Sequence, residues 1–182
     1  VEFYSTTYFF ERYRGWKGIA IDYDENWYNH VKDKRTCKVS CVDLLEVNIN
    51  EHLSSLDCPH VIDYISLDVD DAQLKVFNEF DWDKYRFKVL TLEHNLFQSQ
   101  DIELQSHDDE HKEKIKKEYD HYREVLSAQG YEILYADVVL DGYGPVEDWW
   151  VDKEIYEKYK SYKTKNINYK EVENANFIFG TL

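Results

Sequence analysis

Residues 61–95 constrain the fold more than any other part of the chain. Two short apolar runs, Val61–Leu67 and residues 87–92, are typical of buried strands, and apolar side chains recur at helical spacing between them. Two buried strands joined by a helix form a parallel βαβ unit. Ligands of open α/β sheets bind outside the carboxyl ends of the strands. The sequence therefore predicts that Asp68 and residues 93–95 lie side by side at one sheet edge.

Similar runs and breaks continue this alternation along the whole chain. The predicted strands are residues 1–3, 19–21, 38–42, 61–67, 87–92, 131–140 and 146–151. The predicted helices outside the central unit are residues 5–14, 24–32, 47–56, 110–129 and 153–160. This order predicts an α/β fold with a mostly parallel sheet, helices on both faces and a C-terminal antiparallel hairpin.

The composition narrows the possible functions. A chain of 182 residues with 43% hydrophobic residues suits one domain spanning residues 1–182, although the lack of Met also fits a piece of a longer protein. The formal charge of −15 argues against nucleic acid as a partner. No apolar run is long enough to span a bilayer, and no signal peptide is recognisable. Three cysteines without zinc spacing fit a reduced, cytoplasmic protein. The oligomeric state stays open.

An acid follows each of four successive predicted strands: Asp22, Asp43, Asp68 and Glu93. One acid after a strand is ordinary turn chemistry, but four at the ligand-binding edge are harder to attribute to turns alone. In nucleotide-binding sheets, an acid after the second strand accepts hydrogen bonds from ribose hydroxyls. Asp22 is therefore a candidate nucleotide ligand.

Seven short motifs follow one another along the chain: residues 5–7 (STT), 10–11 (FE), 15–22 (GWKGIAID), 63–70 (DYISLDVD), 92–95 (LEHN), 130–131 (GY) and 147–150 (EDWW). In this order and spacing they resemble the FkbM-type family of S-adenosylmethionine-dependent methyltransferases. The resemblance implies a Rossmann-like, seven-stranded methyltransferase sheet that binds S-adenosylmethionine. It places Asp22 on the ribose and Asp43 near the adenine, although helix capping is an alternative for Asp43.

The family's glycine-rich loop is absent between Phe3 and Tyr4, and we expect it in the intact protein. Glu2 ends the predicted first strand and is a candidate for holding the methionine end of the cofactor. Ser5 and Thr6 border the missing loop and are further cofactor candidates, with a simple helix N-cap as the alternative.

The centre of the predicted site is Asp68, which is assigned to both the cofactor and catalysis. An acceptor hydroxyl must be aligned and deprotonated, so Asp68 or His94 could act as general base. Alternatively Asp68, Glu93 and His94 could hold Mg²⁺ or Mn²⁺, as the resemblance to metal-dependent O-methyltransferases implies. In a third interpretation, residues 93–95 only position the substrate.

Four residues are candidates for the acceptor: Asn95, Asp148, Trp149 and Trp150. A Trp beside carboxylates suits a sugar ring, but adjacent strand residues point to opposite faces, so at most one Trp faces the crevice. Both could instead be core residues. The sequence thus predicts an O-methyltransferase acting on a hydroxyl of a sugar in a glycan or glycosylated metabolite. The alternatives are an N-methyltransferase and a non-catalytic binding module of the same fold.

Overall fold

A computed structural model describes residues 5–94, 96, 109–140 and 144–160. Within them, contacts define two compact units. The first unit contains the described residues up to Val61 together with Asp68–Arg86, and the second contains Ile62–Leu67 and the described residues from Phe87 onward. The predicted first strand and residues 95, 97–108, 141–143 and 161–182 lie outside the described residues. The expectation of a single domain stays a prediction.

The first unit alternates short helices and strands. Its elements are α1 (Tyr8–Arg14), β1 (Ile19–Asp22), α2 (Glu25–Val31), β2 (Lys38–Cys41), α3 (Ile49–Ser55), a 3-10 turn (Asp70–Ala72) and α4 (Gln73–Glu79). Strands β1 and β2 pair in parallel, with Asp22 opposite Cys41. The carboxyl ends of both strands therefore lie at the same edge of this pair.

Local sequence signals explain where these helices begin and end. Asp24 caps α2 because its carboxylate accepts the backbone N–H of Asn26 at 2.8 Å. Asn48 caps α3 in the same way, by accepting the N–H groups of Asn50 and Glu51. Helix α1 ends at Gly15, whose φ of 68° is a left-handed conformation that glycine adopts without strain.

The second unit is built on a four-stranded sheet. Its elements are β3 (Val61–Leu67), β4 (Arg86–Glu93), α5 (Asp109–Ala128), β5 (Tyr131–Leu140), β6 (Gly144–Asp152) and α6 (Lys153–Tyr159). The strand order is β3-β4-β6-β5, and β6 is antiparallel to both β4 and β5. The predicted C-terminal antiparallel hairpin is therefore confirmed.

Helix α5 contributes an apolar stripe to the second unit. Its buried residues recur three or four positions apart: Ile115, Tyr119, Tyr122 and Leu126. The helix is followed by Gly130, at φ 78°, as its sequence predicts. Trp150 on β6 is fully buried.

The mixture of helices and strands confirms the α/β class. The part of the chain that the structure describes holds six strands, arranged in one two-stranded and one four-stranded sheet. A single seven-stranded sheet stays a prediction, since it requires the strand predicted at residues 1–3. No helix within the described residues is long and apolar enough to cross a membrane.

Candidate functional site

The acids predicted to contact the cofactor's nucleoside lie at the carboxyl ends of β1 and β2. Asp22 is the last residue of β1, and Asp43 lies two residues beyond the end of β2. Each carboxylate accepts a backbone N–H two residues ahead, from Asp24 at 2.9 Å and from Leu45 at 2.8 Å. These turns hold both side chains at one edge of a parallel pair, the position that the sequence predicted.

Ser5 and Thr6 precede α1, and their environments differ. The hydroxyl of Ser5 accepts the N–H of Tyr8 at 3.2 Å and a guanidinium N–H of Arg35 at 3.1 Å. Ser5 thus holds the first N–H of α1 from outside the helix, while the N-cap residue itself is Thr7, whose side chain makes no capping hydrogen bond. Thr6 is exposed. Glu2, the third candidate near the predicted loop, lies outside the described residues.

A buried ion pair fixes this end of the first unit. The Nε of Arg35 donates to Glu11 at 2.6 Å, and the two side chains are only 2% and 7% exposed. Arg35 also donates to the Thr7 hydroxyl at 3.1 Å, while Glu11 accepts the backbone N–H and the hydroxyl of Thr36. Burial would raise the pKa of Glu11, but the Thr36 N–H and Arg35 lower it to about 2.

Asp68 directly follows β3 and is exposed, while the candidates after β4 lie in the second unit. Glu93 is the last residue of β4 and is partly exposed, whereas His94 is buried. Asn95 lies outside the described residues. That Asp68 lies beside residues 93–95 stays a prediction, as do the catalytic and metal-binding roles of Asp68, Glu93 and His94.

His94 has defined neighbours at both ring nitrogens. Its Nδ1 accepts the backbone N–H of Leu96 at 3.2 Å. Its Nε2 lies 3.5 Å from Asp148 Oδ1 and 3.9 Å from Asp137 Oδ1, and the side chain is 1% exposed. The ring stands perpendicular to that of Tyr119, with 5.0 Å between centroids. The backbone N–H of His94 donates to the carbonyl of Val146 on β6 at 2.9 Å.

Arg123 on α5 joins the two carboxylates beside this imidazole. Its Nε and Nη2 donate to the two oxygens of Asp148, both at 2.8 Å, and Nη2 also donates to Asp137 at 3.0 Å. The Asp148 side chain is only 3% exposed. The guanidinium carbon lies 4.1 Å from the centre of the Tyr119 ring, and the Tyr119 hydroxyl donates to Asp137 at 2.8 Å. We call His94, Tyr119, Arg123, Asp137 and Asp148 the polar cluster.

An irregularity in β5 brings Asp137 into the cluster. The β5–β6 pairing shifts register between Tyr135 and Val138, and Asp137 adopts φ 54°. A non-glycine residue in this left-handed region is strained, although Asp tolerates it better than most residues. The bulge lets the Asp137 N–H donate to Asp148 Oδ1 at 2.8 Å. Bulges are frequent beside functional sites because they redirect side chains.

Burial and hydrogen bonding oppose each other in the pKa values of the cluster. Burial would raise the pKa of Asp148, but His94, Arg123 and the Asp137 N–H together hold it below its ordinary value. Burial and donation to Asp137 raise the pKa of Tyr119 despite the nearby Arg123. Burial would lower the pKa of Arg123, but Asp148 raises it. Arg123 and Asp148 are therefore both charged at neutral pH.

The three predicted acceptor residues on β6 lie on different faces of the sheet. Asp148 and Trp150 are buried on one face, and Asp148 belongs to the polar cluster. Trp149 is partly exposed on the other face, where its indole N–H donates to Glu147 at 2.7 Å. The Tyr135 ring lies nearly perpendicular to that of Trp149, with centroids 5.5 Å apart. Of the two Trp residues, Trp149 is the one that an acceptor could reach.

Sequence reasoning missed three members of the polar cluster. The apolar spacing of α5 accounts for Tyr119 as a buried helix residue and gives it no other role, and Arg123 lies one helical turn further along. This i, i+4 pairing of an aromatic and a cation was a visible signal. Asp137 gave no comparable signal, because its position depends on a bulge within a run read as a regular strand.

One comparison with known proteins gives a family match over part of the chain. Residues 46–133 match the family model of the methyltransferase FkbM domain. This match confirms the resemblance drawn from the sequence and indicates a methyltransferase. It spans a little under half of the chain and includes Asp68, Glu93 and His94, while Asp22 and the strand β6 lie outside it. No curated protein and no solved structure gives a significant match.

Proposed function

We propose that the protein is an S-adenosylmethionine-dependent O-methyltransferase that acts on a hydroxyl of a sugar in a glycan or glycosylated metabolite. The FkbM domain match supports methyl transfer. The observation that best supports cofactor binding is the parallel β1–β2 pair, which has Asp22 and Asp43 at its carboxyl edge. Paired carboxylates at such an edge suit the hydroxyls and amino group of a nucleoside.

In this proposal the first unit holds the cofactor. Asp22 accepts hydrogen bonds from the ribose hydroxyls, and Asp43 accepts one from the adenine amino group. Glu2 and Thr6 contact the methionine end of the cofactor. Ser5 holds the start of α1 through its hydrogen bonds with Tyr8 and Arg35. The cofactor, when bound, supplies a methyl group carried on a positively charged sulfur, which is already a good leaving group.

The chain must then align the acceptor and take up its proton. A sugar hydroxyl is a poor nucleophile until it is deprotonated, and a positioned carboxylate can hold that proton. Asp68 is an exposed carboxylate directly after β3, so we assign it this role. The alternative is a divalent cation, Mg²⁺ or Mn²⁺, bound by Asp68, Glu93 and His94, which would lower the pKa of the hydroxyl. A chelator separates the two routes, since only the second needs the cation.

The sugar acceptor is supported by the accessible face of β6. Trp149 offers a partly exposed aromatic surface, and its ring is held by the hydrogen bond to Glu147. An aromatic face packs against the apolar face of a sugar ring, and adjacent carboxylates accept hydrogen bonds that its hydroxyls donate. Asn95 follows the end of β4 in sequence and completes the proposed set of acceptor residues.

Titration with S-adenosylhomocysteine, followed by calorimetry, tests the cofactor assignment. We expect saturable one-to-one binding by the wild-type chain. Asp22→Asn keeps an oxygen that can accept the Asp24 N–H but loses the carboxylate charge, so its affinity should fall by roughly tenfold, as for one charge-assisted hydrogen bond. Asp33→Asn, an exposed substitution of the same kind, is the matched control. Absence of binding by the wild type would favour the non-catalytic binding module.

A further inference from the structure

The geometry of His94 limits what its imidazole can do. The side chain is 1% exposed, so an acceptor molecule has no open approach to either ring nitrogen. Both nitrogens also have close protein neighbours, as described above. A general base needs a ring nitrogen that is free to receive a proton from substrate. A metal ligand needs a ring nitrogen without a proton, directed at the cation.

The neighbour of Nδ1 determines which nitrogen carries the proton. The Leu96 N–H points at Nδ1 from 3.2 Å, so Nδ1 must be the unprotonated nitrogen. In the neutral ring the proton is then on Nε2. A proton on Nδ1 would place two donors against each other and break the bond to Leu96. The Leu96 N–H thus fixes the tautomer of His94.

The neighbours of Nε2 fit a donor. Within the described residues Nε2 makes no hydrogen bond, but it faces Asp148 Oδ1 at 3.5 Å and Asp137 Oδ1 at 3.9 Å. A buried N–H beside two carboxylates is electrostatically favoured, whereas a bare ring nitrogen there would be repelled.

The same two oxygens are already occupied by donors. Asp148 Oδ1 accepts from Arg123 Nη2 and from the Asp137 N–H, and Asp137 Oδ1 accepts from Arg123 Nη2 and the Tyr119 hydroxyl. The ligand atoms of His94, Asp137 and Asp148 lie within 4.8 Å of one another, as a metal site would require. The Arg123 guanidinium nevertheless supplies the positive charge that a metal ion would bring.

We infer that His94 is a positioning residue, held as the Nε2–H tautomer between the Leu96 N–H and the Asp137–Asp148 carboxylates, and not a base or a metal ligand. Its function is to hold the backbone of Leu96 next to the carboxyl end of β4, where Glu93 lies. This inference rests on the proposed function in one respect, namely that the end of β4 serves the acceptor. It assigns proton transfer to Asp68 and makes Arg123, Asp137 and Asp148 the support of His94.

Nitrogen NMR of the full chain labelled with ¹⁵N-histidine tests the tautomer directly. Long-range proton–nitrogen correlations distinguish a protonated from an unprotonated ring nitrogen. The signals of His94 are identified among those of the seven histidines by a cross-relaxation contact to the Tyr119 ring. We expect that histidine to show an unprotonated Nδ1 and a fully protonated Nε2. The Nδ1–H tautomer for that histidine would overturn the inference.

A diamagnetic cation supplies the second arm of the experiment. Zn²⁺ binds imidazole nitrogens readily, and ligation through Nε2 would displace the proton on that nitrogen. We expect the Nε2–H correlation of His94 to persist during a Zn²⁺ titration, with the exposed His30 as the reference for non-specific binding. Saturable loss of that correlation before any change at His30 would contradict the inference.

Two variants test the positioning role itself. The Asn oxygen of His94→Asn occupies the place of Nδ1 and can still accept the Leu96 N–H, whereas that of His94→Gln is displaced by one methylene. Hydrogen exchange of the Leu96 amide should therefore stay slow in His94→Asn and accelerate at least tenfold in His94→Gln. Equal exchange in wild type and both variants would refute the role. None of these measurements uses cofactor or acceptor, so their failure is distinct from a failed S-adenosylhomocysteine titration.

Discussion

Removing the Arg123 guanidinium should destabilise the second unit, because it leaves a buried carboxylate without its partner. In Arg123→Met the apolar stem is retained, while Asp148, 3% exposed, loses both 2.8 Å hydrogen bonds. Breaking a buried ion pair in this way costs roughly 3–5 kcal/mol. We expect about 3 kcal/mol here, at the lower end, because the Arg123 side chain is 26% exposed and Asp148 keeps the Asp137 N–H.

Chemical denaturation and thermal unfolding followed by circular dichroism measure this cost. For a chain of this size, a loss of about 3 kcal/mol corresponds to a decrease in melting temperature of roughly 6–12 °C. Lys116→Met is the matched control, since Lys116 and Asp120 form an ion pair of 2.7 Å on the same helix but are 63% and 59% exposed. That exposed pair should contribute less than about 0.5 kcal/mol.

A double variant and the pH dependence of stability test whether the unpaired Asp148 charge causes the loss of stability. Adding Asp148→Asn to Arg123→Met removes the unpaired charge, so the double variant should be more stable than Arg123→Met alone. In the wild type the pKa of Asp148 is lowered from its ordinary 3.8. The ionised Asp148 therefore contributes fully to the free energy of unfolding above pH 3.8, and this contribution is lost as the pH falls further. The difference between wild type and Arg123→Met should therefore shrink in acid. A decrease in stability no larger than that of Lys116→Met would refute the reasoning.

The remaining predictions concern one residue each. Glu11 has a folded-state pKa of about 2 against an ordinary 4.5. The stabilisation by its carboxylate is therefore complete above pH 4.5 and is lost as the pH falls towards 2. In acid denaturation, Glu11→Gln should reduce the dependence of stability on pH in this range. Asp137→Gly should be more stable than Asp137→Ala by about 1 kcal/mol in the same assay, because glycine adopts φ 54° without strain; equal stability would contradict the strained bulge. Turnover should persist in excess chelator if Asp68 is the base, and its loss would indicate the cation route instead.

Elements with a clear hydrophobic period could be predicted from the sequence. The strands Val61–Leu67 and Tyr131–Leu140 have the predicted bounds, and α5 is shifted by one residue from its predicted range. Signals of this kind depend only on a few neighbouring residues, as with Asp24 at the start of α2 and Gly130 after the end of α5. Asp22 and Asp43 were placed correctly because the parallel pairing of short strands fixes which ends share an edge.

The polar cluster could be predicted only in part, because its contacts join residues that are far apart in sequence. Arg123 and Asp148 are 25 positions apart, and nothing in the periodicity of α5 or β6 pairs them. His94 was recognised as chemically notable, but the sequence does not show that it is buried against two carboxylates. Asp148 was read as an acceptor residue because the alternation along β6 leaves open which face is buried.

The central claim is that this chain transfers a methyl group to a hydroxyl with Asp68 as the base. The most direct measurement incubates the intact protein with isotopically methyl-labelled S-adenosylmethionine and a panel of saccharides, and locates the label by mass spectrometry and NMR. We predict that the wild type makes a methyl ether on a sugar oxygen. Asp68→Asn should abolish this product while leaving S-adenosylhomocysteine binding largely intact. Label on a nitrogen, or full activity of Asp68→Asn, would contradict the account.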